Sequence, residues 1–198
     1  MTEEPAFHDI GRGRPVLLLR GEDSTPRIWA LLAPLLAESM RLIVPTEAAG
    51  DRRVVEEMLL EASVDRFAVV SHGAGGAIAQ QLAAEGNVDA LVLIGSVAAA
   101  PQLREAQSRI SERDIPIFLL WGEDDAVVPA AEAERLSDRL PTSTLAFVPG
   151  ESHDVLETAA ATVVPLVYEY LRSRYLGERH GHAPEGPMPI ALTQRPAN

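Results

Sequence analysis

Histidines, carboxylates and hydroxyls must carry whatever nucleophilic or acid–base chemistry this chain does. Its 198 residues include no cysteine, and all 17 basic residues are arginine, so there is no lysine either. Thiolate nucleophiles, disulfides, Cys-type zinc sites, Schiff bases and the phosphate-loop lysine are thereby excluded. The remaining chemistry centres on Phe67 to Ala79, which reads F-A-V-V-S-H-G-A-G-G-A-I-A. An apolar run (Phe67 to Val70) meets a small-residue turn (Ser71 to Gly76) and passes into an Ala-rich helical segment from Ala77, a strand, a sharp turn and a helix. Ser71 and His72 offer a hydroxyl and an imidazole beside the turn. Gly73 offers no side chain at all.

The surrounding pattern is that of a sheet with helical crossovers. Phe7 to Ile10 and Pro15 to Leu19, around a Gly11 to Gly13 turn, predict a first hairpin, followed by an apolar-faced helix over Pro26 to Ser39. Arg41 to Val44 reads as a strand, and Arg52 to Ala62 has helical spacing at Val54, Val55, Met58, Leu59 and Ala62. The helix after the turn ends at Gly86. Asp89 to Gly95 and Ile115 to Trp121 are continuous apolar runs, as in parallel strands covered on both faces. Ala130 to Leu140 is an amphipathic helix, Thr144 to Val148 a last strand, and Val155 to Leu176 a closing helix interrupted at Pro165. This alternation predicts an α/β fold, a doubly wound and mostly parallel sheet, in one domain over residues 1–176. Residues 177–198 read as a flexible tail.

A net charge of -12 repels phosphate backbones and anionic lipid, which argues against nucleic-acid and membrane partners. No apolar run reaches bilayer length and the acidic N-terminus carries no leader pattern, so the expectation is a cytoplasmic protein acting on a small-molecule substrate or ligand. The sequence calls for no cofactor and no metal, and it leaves a homodimer open.

The turn resembles the nucleophile elbow G-x-S-x-G of the α/β-hydrolase superfamily, with Ser71 in place of the first glycine and Gly73 in place of the nucleophilic serine. Three further stretches extend the resemblance over most of Phe7 to Leu176. V-L-L-L-R-G-E (Val16 to Glu22) is similar to the strand that supplies an oxyanion-hole amide, with Arg20 where the family has histidine. L-L-W-G-E-D-D-A-V-V-P (Leu119 to Pro129) resembles the catalytic-acid loop and implies Asp125. V-P-G-E-S-H-D-V-L-E (Val148 to Glu157) resembles the histidine loop and implies His153. The order of nucleophile position, acid and histidine is the family's. Thr46 and Ala49 depart from the Asp and Gly usual after the fourth strand, and Val97 to Asp114 is too short for a helical cap.

The resemblance implies a hydrolase scaffold with a degenerate triad, in which the backbone amides of Glu22 and Ala74 form the oxyanion hole. A His153–Asp125 pair could then act as general acid and base on a small apolar carbonyl compound, as hydrolase, lyase or cyclase, without an acyl-enzyme. The alternative is a non-catalytic member that binds a ligand or a protein partner. A serine hydrolase using a displaced Ser24, Ser71 or Ser96 ranks third. Arg20, His72 and Ser96 are candidate substrate contacts, although Arg20 could equally pair with a carboxylate such as Glu22 and His72 could simply pack. The Gly75–Gly76 pair suits close helix–sheet packing, and His180 and His182 read as solvated tail residues. Restoring a hydroxyl with Gly73→Ser should produce esterase activity if amides and dyad are intact.

Overall fold

The computed structural model describes residues 5–97, 100–177 and the backbone of 192–193. Its sheet is ordered β1-β3-β2-β4-β5-β6-β7-β8, with β1 Phe7–Gly11, β2 Arg14–Arg20, β3 Met40–Pro45, β4 Phe67–His72, β5 Val88–Ile94, β6 Ile117–Gly122, β7 Ser143–Val148 and β8 Leu192–Thr193. β2 to β7 pair in parallel, and β1 and β8 close the edges antiparallel. The central strands are the continuous apolar runs of the sequence; β4 and β6 are buried along their whole length and β5 at every residue but Asp89. Helices α2 (Arg52–Glu61), α3 (Gly75–Glu85), α4 (Leu103–Ser111) and α5 (Ala130–Arg139) cover one face. A 3₁₀ turn at Pro26–Trp29 with α1 (Leu32–Ala37), α6 (Val155–Thr158) and α7 (Ala160–Tyr170) covers the other.

Chain order reverses between β2 and β4: β3 lies on one side of β2, whereas β5 to β7 follow on the far side of β4. This reversal is the switch point at which parallel α/β sheets place their ligands, and the loops leaving the carboxyl ends of these two strands meet there, the Ala74 amide bonding Asp23. No cap domain stands over it among the described residues. The Val97 to Asp114 connection contains α4, a crossover helix packed on α3 that the sequence reading leaves as plain connection.

Four local expectations need correction. β1 and β2 do not form a hairpin, because β3 lies between them. At the connecting turn a Cβ on Gly11 would lie 2.4 Å from the Met40 carbonyl oxygen, and one on Gly13 2.6 Å from that of Ser39. The chain thus crosses the start of β3 rather than folding back on itself, and Arg41 clamps β1 from β3 with bonds of 2.9 and 2.6 Å to Asp9. The single helix over Pro26 to Ser39 is broken before Leu32, since Pro34 has no N–H for the Ala30 carbonyl and would clash with it. The closing helix is interrupted at Ala159 rather than Pro165; Pro165 lies inside α7 on its exposed side. Of the tail, Leu192–Thr193 pair with Leu145 and Ala146, while His180 and His182 lie outside the described residues.

Candidate active site

The turn after β4 is as sharp as its composition implies. Gly73 has φ +56, a left-handed conformation that costs a non-glycine residue about 1–3 kcal/mol, and α3 begins two residues later. Close approach of α3 to the sheet explains the next two glycines. A Cβ on Gly75 would lie 2.7 Å from the Leu19 carbonyl oxygen, and one on Gly76 2.3 Å from Ser96 Oγ.

Asp125 and His153 arrive from the loops after β6 and β7, and their backbones are sewn together. Glu123 N–H donates to the Val148 carbonyl at 3.0 Å and Asp124 N–H to that of Glu151 at 2.9 Å. Asp125 Oδ1 accepts the amides of Val127 and Val128 at 2.9 and 2.8 Å, and its Oδ2 lies 2.8 Å from His153 Nδ1. Both side chains are buried. An ionised carboxylate in this position makes Nδ1 the protonated nitrogen and leaves Nε2 as the acceptor. Nε2 is itself buried and has no hydrogen-bond partner among the described residues. Gly95 makes room for the pair: it has φ +54, and a Cβ there would lie 3.0 Å from His153 Cε1 and 3.3 Å from Asp125 Oδ2.

Asp23, a residue the sequence reading passes over, occupies the place above Gly73. A Cβ on Gly73 would lie 2.2 Å from Asp23 Oδ2, and one on Gly21 2.2 Å from its Oδ1. The two glycines thus form the seat of this carboxylate. The Ala74 amide, expected to serve a substrate oxyanion, donates to Asp23 Oδ2 at 3.1 Å and Oδ1 at 3.3 Å. Asp23 Oδ2 is 3.5 Å from His153 Nε2. Glu22, the other expected amide donor, lies exposed in the same loop. The signal for Asp23 was weak: an acidic residue two positions past a strand-ending glycine is common, and the glycine opposite that admits it lies fifty residues downstream.

The expected substrate contacts lie elsewhere. Among the described residues Arg20 pairs with no carboxylate, Glu22 included; its guanidinium donates to the carbonyls of Ser24 at 3.0 Å and Thr46 at 3.2 Å, which braces the loop that carries Asp23. Ser96 is buried against α3, with Oγ on the Ile94 carbonyl at 3.3 Å. Ser71 is buried toward the Val92 carbonyl and Ser24 bonds the Gly21 carbonyl, so neither hydroxyl is bonded to His153.

His72 is fully buried. Its Nε2 lies 3.2 Å from the His153 carbonyl oxygen, and the two rings are 4.6 Å apart. It supports the histidine loop from beneath. Burial, with a smaller contribution from the neighbouring His153, pushes the His72 pKa below its ordinary 6.5. Between the folded value and 6.5 the unfolded chain binds more protons than the native one, so stability is complete above 6.5 and is lost as pH falls through this window. Urea unfolding from about pH 5 to 8 should show this acid slope, and His72→Gln should flatten it.

Among curated proteins none matches the chain. The family of TAP-like proteins matches residues 95–180, which hold the acid and histidine loops. Solved structures match over most of the chain. A carboxylesterase of the thaumarchaeon Nitrososphaera gargenis superposes with TM-score 0.74 at 14% identity, over 87% of this chain and 95% of that one. An α/β hydrolase enzyme from a sediment metagenome of the Mar Chica lagoon gives 0.73 at 18%, over 88% and 98%. The meta-cleavage product hydrolase CumD of Pseudomonas fluorescens IP01 gives 0.72 at 16%, over 84% and 93%. No helix among the described residues is long and apolar enough to cross a membrane. Strand order, the sharp turn after β4 and the acid and histidine loops after β6 and β7 give this chain the α/β-hydrolase fold.

Proposed function

We propose that this protein is a cofactor-independent acid–base catalyst of hydrolase type that works without a seryl ester, Gly73 standing where the nucleophile has been lost. Its substrate is a small, largely apolar carbonyl compound in the cytoplasm. The observation that carries this reading is the His153–Asp125 pair: 2.8 Å between Nδ1 and Oδ2, a carboxylate anchored by two amides, and an Nε2 with no hydrogen-bond partner among the described residues. The family's hydrolytic members lend the scaffold, and the dyad lends the base. General-base catalysis by such an imidazole supplies about 10²–10⁴-fold, so hydrolysis of small activated esters should fall by that factor in His153→Ala with the fold intact. Equal rates in the two proteins would defeat the reading.

The second reading, a non-catalytic ligand- or partner-binding protein, is favoured by the occupation of the Ala74 amide by Asp23. The two share one outcome: a fluorophosphonate probe should label no serine, because Ser24, Ser71 and Ser96 are not bonded to the dyad. Rapid stoichiometric labelling, read by intact mass, would show a serine nucleophile and overturn both.

A further inference from the structure

We propose that Asp23 is a catalytic residue, the base that touches the substrate, with His153 and Asp125 behind it as the store for the proton it takes. The inference deepens the acid–base reading and rests on it. Asp23 is set where a nucleophile's side chain would stand. Its carboxylate fills the space above Gly73, is held by the Ala74 amide at the start of the eleven-residue helix α3, and faces His153 Nε2 at 3.5 Å. The Asp23 side chain is 26% exposed while that of His153 is 6% exposed, so a substrate arriving from solvent meets the carboxylate first.

A carboxylate in this seat suits proton transfer better than acyl transfer. The amide that would stabilise a substrate oxyanion is already bonded to Asp23, whereas each carboxylate oxygen keeps lone pairs for an incoming proton. The reaction class is enolisation of a small ketone or related carbon acid. The C–H bond next to the carbonyl breaks, its electron pair enters the enolate, and the proton passes to Asp23 and on to Nε2, where Asp125 stabilises the imidazolium. Return of the proton to carbon or oxygen completes an exchange or isomerisation with no oxidant and no co-reactant. Glycine at 73 is a requirement of this arrangement, since any Cβ there would overlap the carboxylate.

The test is deuterium uptake at the α-carbons of cyclohexanone in D₂O, followed by proton NMR with wild type, Asp23→Asn, His153→Gln and Gly73→Ala. Wild type should exchange faster than buffer. Asp23→Asn should lose on the order of 10²-fold or more, the range of general-base catalysis, and Gly73→Ala should lose as much by evicting an intact Asp23. His153→Gln should lose less, because the front base remains. Circular dichroism establishes that each variant is folded; should Asp23→Asn not fold, Gly73→Ala carries the test. Exchange that is unaffected by Asp23→Asn or Gly73→Ala overturns the assignment, as does wild-type exchange no faster than buffer. If ester hydrolysis still depends on His153 in that event, the acid–base reading survives and only the role of Asp23 falls; if nothing depends on His153, both fall.

Discussion

Gly73→Ser should hydrolyse p-nitrophenyl acetate faster than wild type, and the same variant carrying Asp23→Ala should be faster again by about tenfold or more. The serine Cβ needs the space in which Asp23 Oδ2 lies 2.2 Å away. A carboxylate on a short, partly exposed side chain can rotate aside more easily than backbone can shift. Its departure frees the Ala74 amide and sets a hydroxyl near His153 Nε2, which completes a nucleophile, base and orienting acid. The displaced carboxylate nevertheless remains close to the developing oxyanion. A unit charge about 4 Å away costs ~1 kcal/mol even at the dielectric of water and more in a partly closed site, which is the tenfold that Asp23→Ala should recover. His153 accepts the serine proton in this scheme, so the acquired activity should vanish with His153→Ala. Serine at φ +56 should also lower stability by about 1–3 kcal/mol, or a few degrees in Tm. If neither variant outpaces wild type while both remain folded, the His153 geometry does not support catalysis and the non-catalytic reading gains.

Gly122→Ala should be among the most damaging single-methyl substitutions in this protein. Gly122 ends β6, and a Cβ there would lie 2.0 Å from the Ser152 carbonyl oxygen and 2.4 Å from that of Glu151. Both contacts are backbone, so no side-chain rotation relieves them. The loop that ends in His153 must move or β6 must part from β7. Overpacking of this kind costs about 1–3 kcal/mol, which for a domain of this size lowers Tm by about 2–4 °C per kcal/mol. The displacement falls on the residue before His153, so His153-dependent ester hydrolysis should drop further than the stability loss explains. A differential scanning trace and a rate measured well below Tm separate the two effects. An unchanged rate in a destabilised protein would show that the histidine loop tolerates the shift.

The turn at Gly73 and the buried strands β4 to β6 were legible in the amino-acid sequence, because each depends on short-range pattern, an apolar run or a cluster of small residues, whereas Asp125 and His153 were legible only through the resemblance of their loops to those of the α/β-hydrolase family. The helix break before Leu32 was legible in principle as well, since Pro34 acts on the residue four before it. Strand pairing was not. The β1–β2 turn contains the glycines of a hairpin, and nothing local reveals that β3 takes the edge of β2 between them. The role of Arg20 was hidden for a similar reason: its partners are carbonyls of Ser24 and Thr46, and carbonyls leave no mark in a sequence. Asp23 is the clearest case. One acidic residue among 29 carboxylates has no distinguishing pattern, and its position over the turn exists because Gly21 and Gly73, distant in the chain, are brought together where chain order reverses between β2 and β4. Local chemistry specifies which groups are available; the crossing of two distant loops at that reversal chooses which of them face His153.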